Sequence, residues 1–135
     1  MLLSLGGVDV STENVDEKFR KCLQTVWDCI PGPEQKTITD YWNKPRNQSA
    51  IMRPIFTFGG GGQLLDGVAS GATNYYGFLF RFSQKYMADV DEKICERVIA
   101  HELAHLYDHA TKSTDFEKFA NEKMKTWGFE PVPIS

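Results

Sequence analysis

The residues of this chain that could carry out chemistry lie together in a short pattern, His101-Glu102-Leu103-Ala104-His105. On an α-helix, His101 and His105 are one turn apart and project from the same face. Two imidazoles placed in this way can bind one Zn²⁺ ion at about 2.0–2.1 Å. Glu102 points to the side of the same pocket, where it can accept a proton from a water molecule that the metal activates. The pattern therefore predicts a zinc site with His101 and His105 as metal ligands and Glu102 as the catalytic general base.

A helix must carry this pattern, and the surrounding residues predict one over 89–110. Asp89 and Glu92 stand three residues apart, which is a capping-box spacing for its start. Apolar or small residues surround the motif at Val98, Ile99, Ala100, Leu103, Ala104 and Leu106. A solvated helix face that carries histidines by chance is the other interpretation.

The N-terminal third of the chain predicts one long helix followed by a loop. Ser11 or Thr12 can cap a helix over residues 11–30, which Pro31-Gly32-Pro33 ends. Residues 34–50 are polar and predict a loop or an irregular turn of helix. The apolar positions of the helix recur at spacings of three and four: Val15, Phe19, Cys22, Leu23, Val26 and Ile30.

Three short strands are predicted in the middle of the chain. The first covers residues 51–58, where Pro54 argues for an edge position or a late start. Gly59–Gly62 then suit a flexible hairpin connection, and residues 65–73 could form a second strand. The clearest strand covers residues 75–82, since alternate residues on one face are aromatic: Phe78, Phe80 and Phe82.

These elements predict an α+β fold that ends in another helix. Thr114 and Glu117 form a capping box that opens a helix over residues 115–127, and Gly128 suits the position after its end. The strands are too closely spaced for βαβ crossovers. The expected order is therefore an N-terminal helix, an about three-stranded and mostly antiparallel sheet, the active-site helix and a C-terminal helix, with helices on one sheet face.

The composition indicates one domain over residues 1–135 and excludes several classes of protein. A net charge of −3 does not indicate nucleic-acid binding. No run of about 18 apolar residues could span a membrane, and the N-terminus lacks the basic region of a signal peptide. The 3 Cys contain no Cys-x-x-Cys pair, which excludes a zinc ribbon and indicates reduced thiols in the cytoplasm.

On these residues the chain resembles the zincin metalloproteases, and within them the SprT-like family most. ERVIAHELAHLYDHA at residues 96–110 resembles the active-site helix of that family, and FLFRFSQKYM at residues 78–87 resembles the strand before it. The resemblance covers roughly residues 75–127. It implies a minimal zincin-like domain that uses Zn²⁺ to hydrolyse peptide bonds.

The resemblance also implies how a protein or peptide substrate would bind. In zincins the edge of the strand before the motif helix binds the substrate as an added strand. Residues 75–82 are then the candidate edge, although an interior strand is an equal alternative. SprT-like relatives are associated with cleaving proteins bound to DNA. Because this chain has no zinc ribbon and is slightly acidic, only the protease chemistry is carried over.

A catalytic zinc site needs a third protein ligand. SprT-like proteins supply a His after the motif helix, and this chain has no His after residue 109. Aligned on the following aromatic residue, Asp115 stands where the family has that His. The resemblance therefore implies Asp115 as the third ligand, while Glu122 and Glu117 from the same helix stay open as alternatives.

Two further polar residues follow the motif on its own helix. His109 lies about 12 Å along a straight helix from His101, so it could bind the same ion only if the helix broke after His105. Asp108 stands where metzincins have the Gly at which their helix breaks. Asp108 either orients a ligand imidazole or is simply solvated.

Two classes of function follow from the motif. The first is a zinc endopeptidase, of which a small toxin or phage-type effector is a special case. The alternative is a non-proteolytic zinc-binding regulatory or interaction module on the same fold. Glu102 favours the enzyme, because a non-catalytic zinc site has no need of a general base.

Overall fold

The computed structural model describes residues 2–13, 15–43, 54–59, 71–73, 79–111 and 116–131. In chain order the elements are β1 (Leu2–Leu5), β2 (Val8–Glu13), α1 (Glu17–Cys29), α2 (Gly32–Trp42), β3 (Ile55–Gly59), β4 (Gly71–Thr73), β5 (Leu79–Ser83), α3 (Gln84–Asp89), α4 (Glu92–Thr111) and α5 (Phe116–Thr126). This is a small α+β fold, as predicted, with more elements than expected. Within these ranges, no helix is long and apolar enough to cross a membrane.

The strands form a five-stranded mixed sheet in the order β1-β2-β3-β5-β4. The β1–β2 and β4–β5 pairs are antiparallel, whereas β2–β3 and β3–β5 are parallel. The prediction of about three, mostly antiparallel strands is therefore wrong. A parallel β2–β3 pair is possible because α1 and α2 lie between these strands in the chain and form the crossover that such a pair needs.

The chain begins with a β-hairpin, although no strand is predicted before residue 51. Gly6 and Gly7 have φ angles of 60° and 84°, the left-handed pair that a two-residue type I′ turn requires. Leu5 and Val10 are fully buried. The short apolar start of the chain therefore contributes to the core of the fold.

α1 begins later than predicted, at Glu17. Asp16 caps it, since the Asp16 carboxylate accepts a hydrogen bond of 2.8 Å from the Phe19 N–H. Ser11 and Thr12, the predicted caps, lie in β2 and pair with β3. The predicted apolar stripe nevertheless lies on the buried face of this helix, which has Phe19, Cys22, Leu23 and Val26 from the stripe and also Trp27.

α2 occupies the first part of the segment that is predicted to be a loop at residues 34–50. Pro31 and Pro33, which follow the end of α1, also begin α2, because proline suits the first turn of a helix. Ile38 and Trp42 are buried on its inner side. The loop prediction is therefore wrong up to the end of α2, and residues 44–50 lie outside the described ranges.

β3 lies at the centre of the sheet. It begins at Ile55, directly after Pro54, which confirms the late start. The alternative of an edge strand is wrong, because β2 and β5 flank β3. The next strand in the chain, β4, lies beyond β5, so the hairpin expected across Gly59–Gly62 does not form between β3 and β4. Residues 60–62 themselves lie outside the described part.

β5 corresponds to the end of the strand predicted over residues 75–82, and it is interior; residues 75–78 lie outside the described ranges. It pairs with β3 on one side and with β4 on the other. The part of the candidate substrate-binding edge at residues 75–82 that the structure describes is therefore not an edge, since the sheet edge on this side belongs to β4. Phe80 and Phe82 are buried on one face and Arg81 is exposed, as the alternation predicts.

Aromatic rings from α1 and the strands form the centre of the core. Phe19 meets Phe58 and Phe82 edge to face, with centroids 5.4 and 4.9 Å apart. Phe56 and Phe80 stack at 4.3 Å. Such pairs contribute about 0.5–1.5 kcal/mol each beyond their buried area. α1 and α2 contact this face of the sheet through Phe19 and Trp42, and α4 packs against both helices.

The start of α4 is fixed by polar contacts. Asp91, and not Asp89, caps this helix, because the Asp91 carboxylate accepts a hydrogen bond of 2.9 Å from the Ile94 N–H. Lys18 of α1 donates two hydrogen bonds, of 2.8 and 2.7 Å, to backbone carbonyls of α3 and of the turn before α4. These bonds satisfy carbonyls at a helix end and tie α1 to the turn from which α4 starts.

The C-terminal helix ends as predicted. Gly128 has a φ of 98°, and its N–H donates to the Lys125 carbonyl at 3.0 Å. The Phe129 N–H donates to the Met124 carbonyl at 2.9 Å. This pair of bonds is a Schellman motif, for which glycine is the favoured residue.

A half-buried cluster ties α5 to α2 and α4. Glu34 accepts hydrogen bonds from Lys123 Nζ at 2.6 Å and from Trp127 Nε1 at 3.2 Å. The side chains of Lys123 and Glu34 are 21% and 19% exposed. Lys123 Nζ also lies 4.8 Å from the centroid of the Tyr107 ring on α4. The cluster therefore helps to hold the helix that carries the motif.

We predict that Glu34→Ala lowers the free energy of unfolding by about 1–3 kcal/mol, because Lys123 and Trp127 lose their shared acceptor. Urea denaturation followed by tryptophan fluorescence measures this change. Asp40→Ala on the same helix is the control, because Asp40 forms an exposed salt bridge with Lys36. The side chains of Lys36 and Asp40 are 74% and 63% exposed. That variant should lose no more than about 0.5 kcal/mol. Equal losses in the two variants would contradict the prediction.

Candidate metal centre

α4 brings the motif residues together as the spacing predicts. The helix is continuous from Glu92 to Thr111. The Nε2 atoms of His101 and His105 are 3.0 Å apart, and their rings meet at 88°. Two nitrogens that each bind zinc at about 2.0–2.1 Å lie roughly 3.3 Å apart in tetrahedral geometry. The observed separation is therefore close to that of two ligands of one ion.

The carboxylate of Glu102 completes the group. One ligand atom from each of His101, Glu102 and His105 lies within 4.8 Å of the others. The two histidines are half-buried, and Glu102 is only 5% exposed. Imidazole nitrogens and carboxylate oxygens are ligands of zinc and of several other divalent metals. The group could hold a metal ion, although the geometry alone does not select the metal.

The apolar residues beside the motif on α4 are buried, which fixes the direction of the motif side chains. Residues on both sides of the motif are 0–2% exposed: Val98, Ile99, Ala100, Leu103, Ala104 and Leu106. A helix that packs on several sides at the density of a protein interior cannot rotate without opening voids. The imidazoles therefore keep their relative positions through the packing of the opposite faces.

α1 packs against the start of α4 through a pair of thiols. Cys22 and Cys95 are buried, and the hydrogen bond between them, together with burial, raises the pKa of the Cys95 thiol. A thiol with a raised pKa is a poor metal ligand, so Cys95 is a small packed residue. Cys29, at the end of α1, is exposed.

Asp108 is buried, whereas a solvated side chain is one of the two roles that the sequence leaves open for it. It is 1% exposed, and neither carboxylate oxygen has a hydrogen-bond partner in the described part of the chain. The interpretation of a solvated side chain is therefore wrong. Asp108 follows His105 by three residues and His101 by seven, so all three project from the same side of α4. Sequence alone gives no signal for this burial, because a surface Asp would show the same spacing.

Among the side chains that the structure describes, no residue from another element joins the group of His101, Glu102 and His105. Asp115, which the resemblance implies, and the side chain of Glu117 lie outside the described part. His109 belongs to the continuous α4 helix, so the helix break that would bring it to the ion does not occur. Glu122 on α5 is exposed and is not a member of the group.

The edge of the sheet lies beside the motif helix. β4 packs against α4 and, within the described residues, pairs with β5 alone. A strand at a sheet edge has one row of backbone N–H and C=O groups without a strand partner. An extended chain could therefore pair with β4 next to α4.

Comparisons with known proteins assign no family to this chain. No family model, no curated protein and no solved structure matches it. The resemblance to the SprT-like family therefore depends on the motif residues and on the order of elements around them.

We predict that His105→Ala abolishes metal binding, because it removes one of the two facing imidazoles. Zn²⁺ should raise the thermal unfolding midpoint of the wild type, since a ligand that binds the folded state stabilises it. It should leave the midpoint of His105→Ala unchanged, as differential scanning fluorimetry can measure. His109→Ala on the same helix is the matched control and should keep the zinc-induced rise. A rise that survives in His105→Ala would place the metal elsewhere.

Proposed function

We propose that this chain is a zinc-dependent metallopeptidase that hydrolyses peptide bonds with Glu102 as the general base. The observation that carries the proposal is the group of two Nε2 atoms 3.0 Å apart with a buried carboxylate within 4.8 Å of them. Two imidazoles alone would serve a structural metal equally well. The carboxylate of Glu102 adds a proton acceptor at the same place, and catalysis needs one.

The donor set fits Zn²⁺. Catalytic zinc sites use three protein ligands of the nitrogen and oxygen type and leave one position open. His101 and His105 supply two of these ligands, and Asp115 is the proposed third. A zinc ion held there supplies Lewis acidity, which polarises a peptide carbonyl and lowers the pKa of water toward about 7.

Glu102 holds and moves the proton in this proposal. Its carboxylate is 5% exposed and can accept a hydrogen bond from the attacking water beside His101 and His105. As the water adds to the scissile carbonyl, Glu102 takes its proton and then gives it to the leaving amine. The burial of Glu102 supports this role, because a packed side chain stays in place between the two proton transfers.

The edge of β4 that has no strand partner among the described residues suits an extended peptide. A substrate that adds to this edge would form backbone hydrogen bonds with Gly71–Thr73 and run beside α4. We propose this strand, in place of residues 75–82, as the substrate-binding edge. Backbone pairing gives affinity without demanding a particular side chain, so the substrate class is an unfolded or flexible protein segment.

We predict that Glu102→Gln keeps zinc and lowers peptide cleavage at least about 100-fold, because glutamine cannot accept the proton. Mass spectrometry measures the zinc content of the variant. A fluorogenic peptide library measures its rate of peptide cleavage. Glu92→Gln makes the same substitution at an exposed position of α4 and should keep both properties. A zinc-loaded wild type that cleaves no peptide would favour the non-proteolytic zinc-binding module instead.

We predict that Asp115→Ala loses zinc during gel filtration, because two imidazoles alone hold the ion weakly. Glu122→Ala should keep stoichiometric zinc, since Glu122 is exposed and outside the group. Metal analysis of the two purified variants measures both outcomes. Retention of zinc by Asp115→Ala together with its loss from Glu122→Ala would transfer the third-ligand role to Glu122.

A further inference from the structure

Asp108 is a buried acid that the proposed mechanism does not use. It is 1% exposed, and neither of its carboxylate oxygens has a hydrogen-bond partner in the described part of the chain. Burying a carboxylate without a partner is strongly unfavourable. Such groups are rare in folded proteins, and each calls for a functional or structural reason.

The position of Asp108 on α4 directs it toward the motif. Side chains of a helix lean toward its N-terminus and meet those three or four residues earlier. For Asp108 these neighbours are Ala104 and His105. Cβ atoms three residues apart on a helix are separated by about 5–6 Å, so the carboxylate and the imidazole of His105 are within reach of a hydrogen bond.

The chemistry of metal binding supplies the donor that Asp108 needs. A metal ion that binds Nε2 of His101 and of His105 takes both lone pairs, and each imidazole then carries its proton on Nδ1. In a direct hydrogen bond between the two Nε2 atoms at 3.0 Å, one imidazole keeps its proton on Nε2. If His105 is the imidazole that keeps its proton on Nε2, its Nδ1 has no proton to donate. This agrees with the lack of a hydrogen-bond partner for the Asp108 carboxylate in the described part of the chain.

We propose that Asp108 is a positioning residue that accepts a hydrogen bond from Nδ1–H of His105 when His101 and His105 bind zinc. This inference rests on the proposed zinc site and adds to it a residue that contacts neither metal nor substrate. A carboxylate in this place fixes the tautomer and orientation of the ring and makes its Nε2 a stronger ligand. Asp108 is not itself a ligand, because it lies outside the group whose ligand atoms are mutually within 4.8 Å.

Zinc affinity of the full chain tests the proposal, measured by competition with a chromophoric chelator. Asp108→Asn and Asp108→Ala should bind zinc about 10- to 100-fold more weakly than the wild type. Their metal-free unfolding midpoints should be equal to or higher than that of the wild type, because an unpaired buried charge is gone. A merely structural role predicts the reverse, a lower metal-free midpoint with unchanged affinity. Asp89→Asn, an exposed acid on α3, is the matched control and should keep wild-type affinity.

A measurement on the wild type keeps the test independent of how well the variants fold. In ¹⁵N-histidine-labelled, zinc-loaded protein, the Nδ1–H proton of His105 should resonate far downfield and exchange slowly with water. A fast-exchanging Nδ1–H, or wild-type zinc affinity in Asp108→Asn, overturns the role of Asp108 and leaves the peptidase proposal intact. Complete loss of zinc from Asp108→Asn also overturns it and makes Asp108 a ligand. A wild type that binds no zinc overturns both proposals.

Discussion

Two imidazoles can share one metal ion only if the helix that carries them stays regular and does not rotate. The 3.0 Å between the Nε2 atoms of His101 and His105 depends on this condition. A shift of α4 by one residue would turn each side chain by about 100°. The hydrogen bonds of Lys18 before α4, the thiol contact of Cys95 and the Lys123–Tyr107 contact near its end all oppose such a shift. The packing around α4 therefore leaves His101 and His105 half-buried and buries the apolar residues beside them.

Local patterns predict the parts of the structure that local physics decides. The i, i+4 spacing of His101 and His105 needs only helical geometry, so the sequence predicts the pair and its shared face correctly. The same holds for the buried stripe of α1 and for Gly128 after α5. Sheet order is different, because the parallel register of Ser11 with Ile55 joins residues far apart in the chain. The helix predicted over residues 11–30 covers part of β2, so neither this strand nor its parallel pairing with β3 is predicted.

Burial of polar residues is the other quantity that spacing does not reveal. Glu102 and Asp108 are 5% and 1% exposed, although a surface carboxylate would show the same spacing in the sequence. Their burial arises because elements distant in sequence cover α4 on several sides. Burying a carboxylate costs free energy. Two buried carboxylates on the motif helix therefore favour a chemical role over a solvated helix face. This is the main gain of the structure over the sequence.

Zinc K-edge X-ray absorption of protein purified without chelators measures directly whether α4 carries the proposed metal centre. The geometry predicts stoichiometric zinc with two imidazole nitrogens at about 2.0–2.1 Å and oxygen as the remaining neighbours. Protein without zinc, or zinc with sulfur neighbours at about 2.3 Å, would contradict the metal centre and with it the peptidase proposal.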